Sequence, residues 1–167
     1  MAQYVQPQVK LVQGLQAIAE DLFEKTNPFR VTIRVQATND RDLPVLAEVN
    51  APGALSLAGG MSAGPGGQRY KAYDIHQADT VIQIAGDLKT IVQNDTSIDP
   101  PPLPNSVDYG SVRAQILTAL EREGKFIGLV SVHQDEPRLW SDTDIRVAEE
   151  ATVKAQQLID QATWFDL

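Results

Sequence analysis

Two histidines, His76 and His133, and a scatter of carboxylates are the side chains with chemistry beyond packing. A metal centre made from them needs carboxylate partners such as Asp74 or Asp135, because the chain has no cysteine to supply a soft ligand. The two histidines fall in separate segments, so their spacing supports no ligand set, and the expectation is no bound metal. Ser131 and His133 stand two residues apart on one stretch, but no Gly-x-Ser-x-Gly elbow presents a nucleophile. Asp95 and Asp99 form an acidic pair suited to proton transfer, or to capping turns. Gly59-Gly60 and Gly64-Pro65-Gly66-Gly67 lack the Gly-Lys-Ser/Thr ending that a phosphate cradle needs, and read as a surface loop. No residue is assigned a catalytic role.

The missing cysteines also exclude disulfides, catalytic thiols and any chromophore attached through a thioether. They fit a reducing compartment, and the expected location is cytoplasmic. Fourteen basic against twenty-two acidic residues give a net charge of −8, with the basic ones scattered. That pattern disfavours nucleic acid and anionic membrane surfaces as partners. Residues 1–7 lack a basic region followed by an apolar one, so no signal peptide is read, and no apolar run approaches the ~20 residues that span a bilayer.

Whatever chemistry exists must be positioned by the following elements. Leu11, Leu15, Ile18 and Leu22 repeat at helical spacing over residues 8–25, with Pro7 placed in the first turn. Asn27-Pro28 stops that helix. Residues 29–36 alternate, Val31, Ile33 and Val35 against Arg30, Thr32, Arg34 and Gln36, which predicts a half-buried strand. Residues 44–49 read as its hairpin partner, and residues 51–68, rich in Gly and Pro, as a long loop. A helical face over 70–86 ends at Gly86, and 90–93 is a short strand. The strand at 111–120 turns Val112, Ala114, Ile116, Thr118 and Leu120 to one side. A polar connection at 121–125 leads to a continuously apolar strand at 126–132, expected at the centre of the sheet. Ser141 caps a final helix over 141–163, with Asp142 and Asp144 at its positive end.

The order of elements predicts an α+β domain in which an antiparallel sheet carries both terminal helices on one face. The loop and middle helix lie over the other face and cover a pocket. The run Gly124-Lys125-Phe126-Ile127-Gly128-Leu129-Val130-Ser131-Val132-His133, followed by Glu136-Pro137-Arg138-Leu139-Trp140-Ser141-Asp142-Thr143-Asp144-Ile145, resembles the end of a GAF domain. Residues 90–100 resemble that family's central strand and acidic loop. The likeness is motif-specific over 111–145 and follows element order across the chain. It implies a single GAF domain over 1–167, with the sheet and pocket at 29–133 in the profilin-like arrangement. Within the motif, Gly128 predicts a close backbone or ring approach, and Trp140 a packed anchor at the helix entry.

The same resemblance implies a sensory module that binds a small molecule, dimerises, or both. An unknown enzyme and a purely structural dimerisation domain are the alternatives. Family members that reduce free methionine sulfoxide use cysteines, so that activity is not expected here. The family layout puts Tyr70, Tyr73, Asp74, His76, Asp95, Tyr109 and Arg113 around the ligand, whose identity stays open. Leu11, Leu15 and Leu22, with Leu158 and Ile159, form or border a homodimer face, or their stripes cover the back of the sheet, which must hold in part. An output then requires a downstream signalling protein.

Overall fold

The computed structural model describes residues 2–36, 43–54, 56–57, 79–102 and 112–162. The elements among them are α1 (Ala2–Thr26), β1 (Arg30–Val35), β2 (Val45–Asn50), α2 (Asp79–Asp87), β3 (Ile91–Gln93), β4 (Ala114–Arg122), β5 (Lys125–Gln134) and α3 (Asp142–Gln161). The strands form one sheet in the order β2-β1-β5-β4-β3, every pairing antiparallel. The strand predicted to be central, β5, is central.

Alternation along each strand divides the apolar residues between two layers. Val31, Ile33 and Val35 of β1, Ala114, Ile116 and Leu120 of β4, and Val130 and Val132 of β5 share one core with Leu11, Leu15, Ala19 and Leu22 of α1 and Ala148, Ala155 and Ile159 of α3. The opposite face carries a smaller core of Leu117, Leu129 and Ile91 under Val81 and Ile84 of α2. Val112 belongs to that second layer, not to the helix side with Ala114, because the strand begins only at Ala114.

The terminal helices meet where Gly14 faces Leu158: a methyl group at Gly14 would lie 2.7 Å from Leu158 Cδ1. Thr26 Oγ1 donates to Leu22 O at 2.7 Å, and Asn27, at φ 48, ends α1 in the left-handed conformation typical of helix caps. The freed carbonyls of Thr26 and Asn27 accept from Arg138, at 2.6 and 3.2 Å. The same guanidinium reaches Asp144 in the first turn of α3, so one cation ties the end of α1 to the start of α3. Helix α3 opens with a capping box: Asp144 N donates to Ser141 Oγ at 3.0 Å and Ser141 N to Asp144 Oδ2 at 3.1 Å. Replacing Ser141 by Ala is expected to lower stability by about 1 kcal/mol, read by denaturant unfolding.

Glutamines fasten the outer side of β2 and the part of β4 that the short β3 leaves uncovered. Gln16 of α1 donates to Glu48 O and accepts from Glu48 N on the outer side of β2, at 3.0 and 3.2 Å. Gln156 of α3 makes the same pair with Glu121 where β4 runs past the short β3, at 2.6 and 2.9 Å. The edge of β3 is closed differently: Trp140 Nε1 donates to Gln93 O at 3.0 Å and Arg138 N to Asn94 O at 2.9 Å.

Several expectations need correction. Helix α1 starts at Ala2, so Pro7 lies inside it and not at its beginning. Helix α2 runs one residue past Gly86 to Asp87, and Leu88, at φ 60, makes the left-handed exit. The β4–β5 connection is tighter than a five-residue loop: Glu123 and Gly124, at φ 54 and 78, form the two-residue turn suited to a hairpin. Strand β1 is buried on both faces, not one, because it lies inside the sheet with its polar side also covered. The proposed dimer face is the largest change. Leu11, Leu15, Leu22 and Ile159 are buried in this chain's own core and Leu158 packs against it, so these stripes cover the sheet.

Candidate functional site

The polar residues of β1 that look solvent-facing in the sequence are buried on the face opposite the terminal helices. Register places them in rows. Asn50 lies opposite Arg30, Arg30 opposite His133, His133 opposite Gln115, and Gln115 opposite Gln93, one residue from each of the five strands. Of these, Arg30, Gln93 and Gln115 are 0% exposed and His133 1%. The next row holds Glu48, Thr32 and Ser131, with Arg34 in the row beyond.

Hydrogen bonds bind the row from both ends. Arg30 Nε donates to Asn50 Oδ1 at 3.1 Å, and Arg30 Nη1 lies 3.3 Å from His133 Nδ1. A guanidinium has only donors, so Nδ1 accepts and the imidazole proton sits on Nε2. Arg34 Nη1 donates to Leu43 O at 2.9 Å. At the far end, Gln93 Nε2 donates to the carbonyls of Asp99 and Pro101, at 2.8 and 2.7 Å. That spends both of its protons and turns Gln93 Oε1 towards Gln115, whose Nε2 donates to it at 2.6 Å. Gln115 therefore has one allowed amide orientation, with Oε1 on the other side. Among the described residues, that oxygen and Thr32 Oγ1 are buried without a hydrogen-bond partner.

Burial holds the His133 pKa well below the usual 6.5, and the positive charges of Arg30 and Arg34 push it the same way. The ring is neutral in the fold, whereas in the unfolded chain it takes up a proton below about pH 6.5. Native stability is therefore intact above that pH and declines as the pH falls below it, by up to about 1.4 kcal/mol per unit. Denaturant unfolding of wild type and His133→Gln between pH 7.5 and 5 should show this component only in the wild type.

Of the ligand residues the family layout suggested, Tyr70, Tyr73, Asp74, His76 and Tyr109 lie outside the described residues. Asp95 and Arg113 meet each other, with Arg113 Nη2 3.6 Å from Asp95 Oδ1. Asp95 also accepts from Ser97 Oγ and N, at 2.6 and 2.9 Å, and these bonds, with Arg113 behind them, lower its pKa. Asp99 accepts from the backbone of Asn94 and Asp95. The acidic pair thus organises the turn after β3. Among the described residues no three His, Asp or Glu side chains converge as a metal site.

Sequence reading overlooked Arg30, Thr32, Arg34, Gln93 and Gln115 as site residues. The signal was present: a strand alternating Val, Ile and Val with Arg, Thr and Arg, in a sheet expected to be covered on both sides. On the outer surface, an open groove of about 250 Å³ runs between α1 and α3, lined by Ala17, Ile18, Asp21, Lys25, Glu150 and Lys154 among others. No helix among the described residues is long and apolar enough to cross a membrane.

No protein-family model and no curated protein matches the sequence. Solved structures do match in three dimensions. The blue-light absorbing form of the PixJ GAF domain from Thermosynechococcus elongatus is 15% identical with a TM-score of 0.65, over 92% of this chain and 89% of that one. The type II free methionine-R-sulfoxide reductase of Thermoplasma acidophilum is 14% identical at 0.65, over 93% and 96%. The free methionine-R-sulfoxide reductase of Neisseria meningitidis in complex with its substrate is 16% identical at 0.64, over 94% and 86%. Five antiparallel strands, two terminal helices behind them and near full-length superposition on these structures make this chain a GAF-like α+β domain.

Proposed function

We propose that the chain is a non-catalytic sensory module that holds a small molecule against the sheet face opposite α1 and α3. The observation that carries this reading is the buried polar row from Asn50 to Gln93. A sheet face that only had to fold would be covered with apolar side chains, because each buried polar group costs free energy unless it is bonded. Here polar groups from all five strands share one row, and among the described residues Gln115 Oε1 still lacks a partner. The similar folds belong to photoreceptor domains and to reductases of a small metabolite, which supports a small-molecule site and leaves the ligand open.

Native mass spectrometry of freshly purified protein, followed by a thermal-shift panel of nucleotides, tetrapyrroles and amino-acid derivatives, tests the reading. A retained or stabilising molecule is expected, with weaker binding in Thr32→Val, which removes one hydroxyl at constant shape. No retained mass and no shift across the panel would favour a purely structural domain.

Signalling from such a module is expected to pass through association, and the outer groove between α1 and α3 is the surface for it. Asp21, Lys25, Glu150 and Lys154 offer both signs of charge to a second copy related by a two-fold axis. Sedimentation equilibrium should show a dimer that weakens when the exposed Ala17 is replaced by Glu.

A further inference from the structure

The amide lock between Gln93 and Gln115 has a chemical direction. Both Gln93 Nε2 protons are committed to the carbonyls of Asp99 and Pro101, so only an acceptor faces Gln115. Gln115 must answer with its Nε2, which leaves Oε1 as a fixed, buried acceptor with no partner among the described residues. A flipped amide would set two oxygens against each other and lose that bond. Thr32 Oγ1, two strands away on the same face, is buried and has no partner among the described residues either.

We propose that Gln115 Oε1 is a specificity-determining acceptor for the ligand, and that the ligand presents a neutral N–H or O–H donor to it, as an amide or lactam does. This rests on the small-molecule reading above and deepens it. An anionic oxygen is repelled by a carbonyl oxygen that has no proton to offer. A cation at this position meets the positive field of Arg30 and Arg34 that already acts on His133, the register neighbour of Gln115. A neutral donor satisfies the oxygen without either conflict. Thr32 Oγ1, able to donate and accept, adds a second polar contact on the same face.

A matched pair of probes separates the donor from ring shape: 2-pyrrolidone carries a lactam N–H, and γ-butyrolactone has the same ring without it. Titrations of the whole wild-type chain followed by NMR, with the side-chain amide of Gln115 and the methyl of Thr32 assigned, read site and affinity together. The expected result is saturable shifts at Gln115 with 2-pyrrolidone and at least tenfold weaker binding of γ-butyrolactone, since a desolvated, unanswered acceptor is costly. Gln115→Met should erase the preference. Equal affinity for the two rings, or no shift at Gln115 up to the solubility of the lactam, overturns the assignment. If native mass spectrometry finds a retained molecule while Gln115 is insensitive to the lactam, the sensory reading stands and this one falls. If no molecule binds in either experiment, both fall.

Discussion

Replacing Gly128 by Ala is expected to lower the stability of the domain by about 3 kcal/mol or more, one of the two largest single-residue effects expected here. The cause is space, not backbone conformation. A Cβ built on Gly128 would lie 2.1 Å from Arg34 O and 3.0 Å from Val35 Cα. A close carbon–oxygen contact between adjacent strands is ordinarily about 3.3 Å. Both neighbours are main-chain atoms, so no side chain can swing aside. Strands β1 and β5 would have to part where Val35 pairs with Gly128, and β4 would be disturbed as well because Leu120 pairs with the same glycine. Urea unfolding monitored by circular dichroism measures the loss, and a change below about 1 kcal/mol would contradict the close approach. Gly86→Ala is the internal control. Nothing lies within 4 Å of its added Cβ, and it sits inside α2, so that variant should gain about 0.5–1 kcal/mol.

The second large effect is expected from Trp140→Ala, at about 3–5 kcal/mol. The indole is 5% exposed and its N–H donates to Gln93 O, while the Trp140 backbone N–H donates to Asn94 Oδ1 at 3.1 Å. Arg138 lies over the ring, 4.3 Å from its centroid, and loses that support when the ring goes. Because Arg138 also holds the last carbonyls of α1, the damage should spread to the contact between the two terminal helices. Trp140→Phe separates the parts: it keeps most of the apolar volume and loses the indole bond, so its cost should fall to about 1–2 kcal/mol. The same unfolding experiment ranks the three proteins. A Trp140→Phe as damaging as Trp140→Ala would mean that the hydrogen bond, not the packing, dominates.

The fold could be read from local signals because its elements are locally consistent. The leucine stripe of the first helix, the capping residues at Ser141 and Asp144, and the apolar run of the central strand each point to one structure. Gly128 and Trp140 were legible for the same reason: a glycine inside a strand and a tryptophan at a helix entry carry a physical meaning on their own. The candidate site was harder, because its residues become a site only through register. Arg30 and Arg34 alternate with valine and isoleucine as the solvent side of an ordinary edge strand would. Nothing within residues 29–36 reveals that β1 lies between two other strands. Gln93 and Gln115 are twenty-two positions apart, and their mutual orientation is decided by carbonyls at Asp99 and Pro101. The helical stripes left two readings, a dimer face or a cover for the sheet, for a related reason. A helical stripe states that a face is covered, and the sheet of the same chain proves to be the cover.

The glutamine clasps on β2 and β4, with the indole closing β3, have a consequence for how this molecule meets others. An unpaired strand edge is a template onto which any extended chain can zip, and it is the usual starting point for fibrous self-association. At Glu48 and Glu121 the outward N–H and C=O groups are already matched by a primary amide, the side-chain copy of a peptide group. A would-be sixth strand at either of these places must first evict a residue anchored in a long helix. Ribbon growth from these edges is thereby disfavoured without any cost to the folded sheet.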